Sequence, residues 1–499
     1  MPHTRPVPPT GAAEAGAWKS TPLASASALV AAKIVFVVTG YAIYAGLSRL
    51  LTPSDFGVYL VVNSTVAVLN AVFITGTIQA VSRFVAQGTT GAGATLRAAL
   101  KLQLVVAGGI TALYFLAAPG IAGLLRDEQL IPYLRVSATI PLAYAFYAAI
   151  IGYLNGGRRF AWQAGFDVSF SAMKLALVLA LPALGYGAFG AVSGFAIAAV
   201  LILVLAWSTI GAAAVREKGV GASAAQLLRY EGTVMGHVAL TNLLMQLDLL
   251  LVKGLSPIAA ASTAAAMFGA AAKLAQIPHS ILVALNFLIF PYIARSTANA
   301  PTAQTTYYIR QALRVGAALV AGPAAILATL SPQAVGFVFG SAYAGAGPVL
   351  GVLSWGYVAF SLFAMTSTII NSAGRPGVSL AFAAGTLTIQ TLLAWFLIPA
   401  QGIVGSAVAS SAAYSIGLLA ATTYLTVKFG SVVPWSSLAR ISIGVVTVTV
   451  VAPALVANYS FPLVSVVLGL VYLATLAVLR EWTLDDFRNI LGRPAPAGA

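Results

Sequence analysis

The chain has no cysteine in its 499 residues, which excludes disulfides and thiolate chemistry and leaves the redox compartment unmarked. Its three histidines, His3, His237 and His279, are too scattered to give metal-ligand spacing. No metal site is expected. Charge is scarce as well: 7% of residues are Asp, Glu, Lys or Arg and 60% are hydrophobic, whereas soluble globular domains carry about 25% and about 45–50%. A soluble fold is excluded. No G-x-x-x-x-G-K-[ST] loop is present, so nothing in the sequence offers the backbone cradle that holds nucleotide phosphates.

What the sequence has instead is a succession of apolar runs between Ala24 and Leu479, each longer than the roughly 18 residues that mark a membrane-spanning helix. Backbone amides in lipid must be satisfied within the segment, so the spans are helical. They are expected near 26–48, 57–80, 98–120, 132–154, 162–184, 187–211, 233–254, 263–293, 309–331, 346–370, 377–398, 402–427, 438–457 and 461–480. The predicted fold class is an all-α polytopic membrane protein of about 14 transmembrane helices. The organisation that follows is a disordered cytoplasmic tail (1–25), a first six-helix bundle (26–211), a cytoplasmic linker (212–232), a second six-helix bundle (233–430), two additional C-terminal helices (431–480) and a cytoplasmic tail (481–499). The linker, with Arg216, Glu217, Lys218, Gln226, Arg229 and Glu231, has the composition of an interfacial helix. The first apolar run is too long for a signal-peptide core, and no connection has room for a soluble catalytic domain.

A net charge of +15 would suit nucleic acid, but the distribution of the basic residues points to a membrane. With the N-terminus in the cytoplasm, Arg5, Lys19, Arg83, Arg97, Lys101, Arg158, Arg159, Arg216, Lys218, Arg229, Arg295, Arg310, Arg314, Arg375, Lys428, Arg440, Arg480, Arg488 and Arg493 all fall on the inner side. Only Arg49, Arg126, Arg135 and Lys253 fall near the outer one. This bias predicts both termini on the cytoplasmic side of the membrane, and no nucleic-acid partner is expected.

An internal repeat organises the spans. Arg49-Leu50-Leu51-Thr52-Pro53 closes the first and Lys253-Gly254-Leu255-Ser256-Pro257 the seventh, 204 residues later. Asn155-Gly156-Gly157-Arg158 follows the fourth and Asn371-Ser372-Ala373-Gly374-Arg375 the tenth, 216 residues later. Pro182-Ala183-Leu184-Gly185 with Gly190-Ala191 is matched by Pro399-Ala400-Gln401-Gly402 with Gly405-Ser406, 217 residues later. Because six helices is an even number, the two copies enter from the same side and are related by a pseudo-twofold axis along the membrane normal. The cleft between them is the natural path for a substrate.

An ionisable group in mid-membrane costs at least about 2.5–3.5 kcal/mol, so each one is a candidate for function. Lys33 lies in the first span, Asp167 and Lys174 in the fifth, Asp248 in the seventh and Lys273 in the eighth. Asp167, Ser171 and Lys174 are four and three residues apart, which puts them on one helix face. Lys33, Lys174 and Lys273 are candidates for holding an anionic head group, because a desolvated cavity strengthens an attraction that water would screen. Two readings of the carboxylates stay open: Asp248 and Asp167 bind a coupling proton or sodium ion, or they position lysines, as in a pairing of Asp248 with Lys273. Asn63, Asn70, Asn242 and Gln246 either line the cleft or pack against neighbouring helices. Arg49 and Lys253 read first as interfacial side chains that snorkel to water, and second as gate residues. Asp485-Asp486 reads as a solvated acidic pair.

At this point the sequence resembles a known family, the polysaccharide biosynthesis or O-antigen flippases of the multidrug/oligosaccharidyl-lipid/polysaccharide (MOP) exporter superfamily. The resemblance rests on Ser48-Arg49-Leu50-Leu51-Thr52-Pro53-Ser54-Asp55-Phe56-Gly57-Val58-Tyr59 and Gly76 to Arg83. It continues through Gly152-Tyr153-Leu154-Asn155-Gly156 to Phe160, Gln246-Leu247-Asp248, Lys273-Leu274-Ala275-Gln276-Ile277-Pro278, and Phe339-Gly340 with Tyr343. It implies two facing six-helix bundles with two extra C-terminal helices, and translocation of an undecaprenyl-diphosphate-linked oligosaccharide from the inner to the outer leaflet by alternating access. It also implies membrane lipids and polysaccharide polymerase or assembly proteins as partners, and no cofactor beyond a coupling proton or sodium ion. A drug or cation antiporter of the same architecture is the first alternative; three intramembrane lysines against two aspartates favour the flippase. A membrane-embedded polymerase or ligase is the second, and the short outer connections, the longest being Gly120 to Pro132 with Arg126, Asp127 and Glu128, give it little to work with.

Overall fold

The computed structural model describes residues 22–88, 91–217, 219–283 and 303–481. Both terminal tails up to 21 and from 482, Lys218, Arg295, Asp485-Asp486 and the end of the eighth expected span lie outside the described residues. Among them the chain is helical, without strands. We number the main helices α1 (Pro22–Leu50), α2 (Pro53–Ala86), α3 (Ala92–Leu124), α4 (Leu130–Ser137), α5 (Thr139–Gly156), α6 (Phe160–Leu181), α7 (Gly187–Ala206), α8 (Ala224–Leu255), α9 (Ala261–Ala275), α10 (Ala303–Thr329), α11 (Ser331–Phe339), α12 (Gly347–Ser372), α13 (Pro376–Phe429), α14 (Trp435–Val456) and α15 (Phe461–Val478).

Twelve of the described helical stretches are long and apolar enough to cross a membrane. Two of these, Phe160–Arg216 and Pro376–Phe429, run for 57 and 54 residues, about 80 Å each if straight, against a hydrocarbon core of about 30 Å. Neither is straight. Gly185 and Gly187 (φ 94° and 55°) break the first and Gly402 (φ 61°) the second, in a backbone region that side chains disfavour. Beyond each break the chain folds back: a Cβ on Gly194 would sit 2.5 Å from the Leu177 carbonyl oxygen, and one on Gly405 would sit 2.1 Å from that of Leu397. Each stretch is therefore two crossings, which accounts for the approximately fourteen expected. These hairpins are the third landmark of the repeat.

The second landmark recurs bond for bond. Gly157 N–H donates to Tyr153 O, Arg158 to Asn155 O and Arg159 to Leu154 O, and 216 residues later Ala373 donates to Ile369 O, Gly374 to Asn371 O and Arg375 to Ile370 O. This is the bonding of a helix closed by a left-handed residue: Arg158 at φ 59° in one copy and Gly374 at φ 77° in the other.

The linker departs from expectation. Ser223 caps α8, accepting from Gln226 N–H while the Gln226 side chain accepts from Ser223 N–H, so this helix starts at Ala224, and before it Ala212–Arg216 is a short helical end to the preceding span. Residues 224–232 are the first turns of α8.

Helix α2 lies at the centre of the packing, against α5 on one side and α8 and α9 on the other, while α1 packs on α6, and α8 on α13. At its start the Thr52 hydroxyl accepts from Asp55 N–H and Pro53 occupies the first turn, where its missing donor costs nothing. Gly57 then lets α2 approach α9 so closely that a Cβ there would fall 1.8 Å from the Ser262 carbonyl oxygen. The last two helices form a satellite core with α10: Tyr472 packs on Gly322 and Gly444, and its hydroxyl donates to Ala318 O at 2.8 Å. Glu481 joins the same group, bonding Arg314 of α10 at 2.7 Å and Arg440 of α14 at 3.1 Å. Exposed Leu104, Leu116, Phe396, Leu419, Val450 and Leu470 form the outward surface suited to lipid. For orientation we call the end bearing Arg83, Arg97, Arg158, Arg216 and Arg375 the basic end, and the other the opposite end.

Candidate functional site

A cavity of about 210 Å³ lies between α1, α6 and the end of α9 with the turns that follow it. Phe36, Tyr41, Tyr44, Phe170, Ser171, Lys174, Lys273 and Gln276 face it. Two of the three candidate lysines thus meet across the cleft, one from each copy of the repeat. Neither has a carboxylate at ion-pair distance among the described residues. The Lys174 ammonium sits 3.6 Å from the centre of the Phe195 ring, and that of Lys273 sits 5.6 Å from the Tyr44 ring. Aromatic faces attract cations but leave their hydrogen-bond donors unspent. The walls are braced from behind: Tyr41 donates to Lys273 O at 3.1 Å, and Asn63 donates to the Tyr44 hydroxyl at 3.2 Å.

The third lysine is engaged. Lys33 donates to Asp167 Oδ2 at 2.7 Å, next to the cavity but outside its lining, and Ser171 donates back to the Asp167 carbonyl. Asn70 on α2 has a buried side-chain oxygen without a donor. Asn242 spends its amide on Val238 O one turn earlier, and Gln246 is buried on α8.

Asp248 makes no close ion pair with Lys273, although the Lys273 charge acts on its carboxylate. It lies in a second polar cluster formed by α8, α12 and the two arms of α13, only 1% exposed. Its Oδ1 accepts from Leu249 N–H at 2.8 Å, and Oδ2 is buried with no donor in ideal geometry, the Ser410 hydroxyl being the nearby group that can reach the carboxylate. Around it, Gln390 donates to Leu244 O at 3.1 Å and to Ser410 Oγ at 3.2 Å, and Tyr414 donates to Leu244 O at 2.6 Å. Gln390 Oε1 and Ser406 Oγ are likewise buried and undonated. Oxygen atoms without donors around a buried carboxylate are the chemistry that a proton or a small hard cation satisfies.

At the opposite end the two matched basic residues behave differently. Arg49 is exposed and donates to Phe337 O at 3.0 Å. Lys253 does not snorkel: it is 3% exposed, and its ammonium donates to Asp127 Oδ2 at 2.7 Å and to Ser262 Oγ at 2.6 Å. The burial follows from the approach of α2 to α9 at Gly57, which closes water away from this corner. Asp127, in the loop after α3, thus tethers α3 to the junction of α8 and α9.

Residues 47–348, more than half of the chain, match a family described as polysaccharide biosynthesis protein. The chain belongs to that family. Its fold is shared with solved MOP-superfamily structures. A lipid II flippase, MurJ, in an inward closed conformation superposes at a TM-score of 0.73 with 14% identity, covering 93% of this chain and 99% of that one. A multidrug resistance MATE family transporter in an inward-facing conformation gives 0.66 and 16%, covering 79% and 94%. A MOP superfamily transporter from Pyrococcus furiosus, described as having a binding pocket of reverse polarity, gives 0.60 and 18%, covering 83% and 97%. None of the curated proteins matches the sequence.

In this chain, three groups that the sequence did not single out prove structurally prominent. Asp127 reads in the sequence as part of an exposed loop, and only the fold brings it to Lys253, 126 residues away. Gln390 and Ser410 are uncharged residues within spans, and their signal was the placement of an amide and a hydroxyl in otherwise apolar helix. Glu231 reads as part of a polar linker, yet it is fully buried.

Proposed function

We propose that this protein is a flippase that carries an undecaprenyl-diphosphate-linked oligosaccharide from the inner to the outer leaflet of a bacterial inner membrane. The observation that carries the reading is the pair of ammonium groups, Lys174 and Lys273, facing one cavity from two halves with no carboxylate at ion-pair distance among the described residues. A diphosphate supplies the missing negative charge, and a site shielded from water makes the attraction strong. A cation exporter would want the reverse polarity. Lys33, balanced by Asp167, stands at the cavity's edge as an auxiliary contact, and Asn63 holds Tyr44 in place. At about 210 Å³ the cavity is below the roughly 300–1,000 Å³ of small-ligand sites, so the head group enters only when the bundles 26–211 and 233–430 part. Alternating access supplies that parting, with the basic end in the cytoplasm in accord with the positive-inside bias. The Asp127–Lys253 pair serves as a gate tie, and Asp248, with Gln390, Ser406 and Ser410, takes the coupling proton or sodium ion. A polysaccharide polymerase or assembly protein would receive the product.

The test is translocation of a fluorescent undecaprenyl-diphosphate oligosaccharide in proteoliposomes, comparing the native chain with Lys174→Gln/Lys273→Gln. The native chain should translocate, and the double variant, folded by its unfolding temperature, should lose at least about ten-fold in rate, the worth of about 1.4 kcal/mol. An inert native chain that instead exchanges organic cations for protons would establish the antiporter alternative.

A further inference from the structure

The basic end of α8 is held by a carboxylate whose structural partners are uncharged. Glu231 precedes the apolar stretch Val238–Leu255 of its helix and is 0% exposed. Gln103 Nε2 on α3 donates to both of its oxygens, at 3.3 and 3.2 Å, and to Thr77 Oγ1 on α2 at 2.9 Å. One amide with two hydrogens thus serves three acceptors. Gln103 Oε1, meanwhile, is buried with no donor. A single proton on the carboxyl resolves both faults. After a small rotation of the amide, the acid O–H donates to Oε1 while the acid carbonyl accepts from Nε2, in the cyclic pairing of an amide with a carboxylic acid. We propose that Glu231 is a proton-binding site that latches α8 onto α3 and α2 when protonated and releases them when ionised, so that opening of the cleft at its basic end follows pH.

The charged groups nearby do not replace the proton. Arg83 of α2 lies over the Tyr230 ring, 4.8 Å from its centre. On α3, Arg97 is occupied by the carbonyl oxygens of Val215 and Glu217, and Lys101 is exposed. Glu217 accepts from Gly93 N–H. Arg229, two residues back on α8, is exposed and points about 200° away round the helix. Helices α9 and α13 meet α8 farther along, at Leu244 and Leu249.

Burial pushes the Glu231 carboxyl up from 4.5 to about 7, the bonds from Gln103 and Thr77 offsetting only part of the effect. The latched form therefore gains by holding the proton: it is fully favoured below the ordinary carboxyl range and loses ground as pH rises through about 7. Between pH 6 and pH 8 the linkage shifts the equilibrium about ten-fold toward release.

The inference is independent of the substrate, and the absence of cysteine makes it measurable. A single Ala99→Cys, buried on α3 one turn before Gln103, reports opening in the detergent-solubilised protein through its labelling rate with a water-soluble maleimide. Rates are divided by those of an exposed Asn458→Cys to remove the thiol's own pH dependence. The normalised rate should rise about ten-fold from pH 6 to pH 8, and with Glu231→Gln it should lie below the native pH 6 value and not change between the two. A native background without the rise overturns the proposal, even if Glu231→Gln does not fold. A rise that persists in a folded Glu231→Gln background overturns it too.

Discussion

The pair at the opposite end allows a quantitative prediction. The Lys253 side chain is 3% exposed and that of Asp127 19%, and the ammonium spends one hydrogen bond on Asp127 and another on Ser262, at 2.7 and 2.6 Å. Asp127→Asn leaves that ammonium buried with a neutral amide and a hydroxyl. Breaking a buried pair from one side costs about 3–5 kcal/mol, and the partial exposure of Asp127 places this case at the lower end, about 3 kcal/mol. Lys253→Met is milder. The carboxylate it abandons still reaches water and keeps the Gln129 N–H at 3.1 Å, so the loss is about 1–2 kcal/mol. The double variant buries no charge and should lose about 2 kcal/mol, less than Asp127→Asn alone. The cycle therefore yields a coupling of about 2–3 kcal/mol in favour of the pair.

Unfolding of the four proteins in detergent, followed by the fluorescence of the seven tryptophans, gives the comparison. The order of stabilities should be native, then Lys253→Met and the double variant close together, then Asp127→Asn. If the double variant loses the sum of the two single losses, within about 0.5 kcal/mol, the two groups do not interact and the tether does not exist.

Other expectations rest on local geometry. Gly57→Ala puts a methyl group 1.8 Å from the Ser262 carbonyl oxygen, a backbone atom that cannot swing aside, so α2 and α9 must separate at a loss of about 3 kcal/mol; an unchanged unfolding temperature refutes the close approach. Arg158→Gly relieves a left-handed residue at φ 59° and should stabilise by about 1 kcal/mol, seen as a rise in unfolding temperature. Asp248→Asn removes the buried charge while keeping an acceptor oxygen. Stimulation of transport by sodium or by a proton gradient should disappear while the unfolding temperature holds or rises, and stimulation that survives in the variant assigns coupling elsewhere.

The sequence disclosed whatever depends on local pattern. Apolar length located the helices, and glycine and proline marked the hairpins at Gly185 and Gly402, because both signals act within a few residues of their cause. The polar stripe of Asp167, Ser171 and Lys174 was likewise readable from helical periodicity. Which groups meet across the bundle was not. Lys33 finds Asp167 after 134 residues and Lys253 finds Asp127 after 126, and the distance between such partners is fixed by helix packing that no period records. Lys253 is instructive because its position at a helix end predicts a side chain reaching for water, whereas the glycine at 57 brings in a second helix that removes the water. Glu231 shows the converse. Its polar neighbours in sequence predict exposure, but the Ser223–Gln226 cap extends α8 backwards and carries it under α2 and α3.

The ties at the two ends of α8 constrain one another. From Glu231 to Lys253 is 22 residues, about 33 Å of helix at 1.5 Å per residue, close to the about 30 Å of a hydrocarbon core. Both partners belong to α3 or to the loop just after it, Gln103 at one end and Asp127 at the other. Helices α3 and α8 are therefore tied near both ends of α8, and in the proposed alternating-access cycle the cleft opens at one end when the tie there lets go. The ties differ in kind. One is an ion pair between an ammonium and a carboxylate, and the other is held by an uncharged amide with a carboxyl raised to about 7. Mild alkalinity should consequently loosen the basic end through Glu231, so pH biases opening at that face.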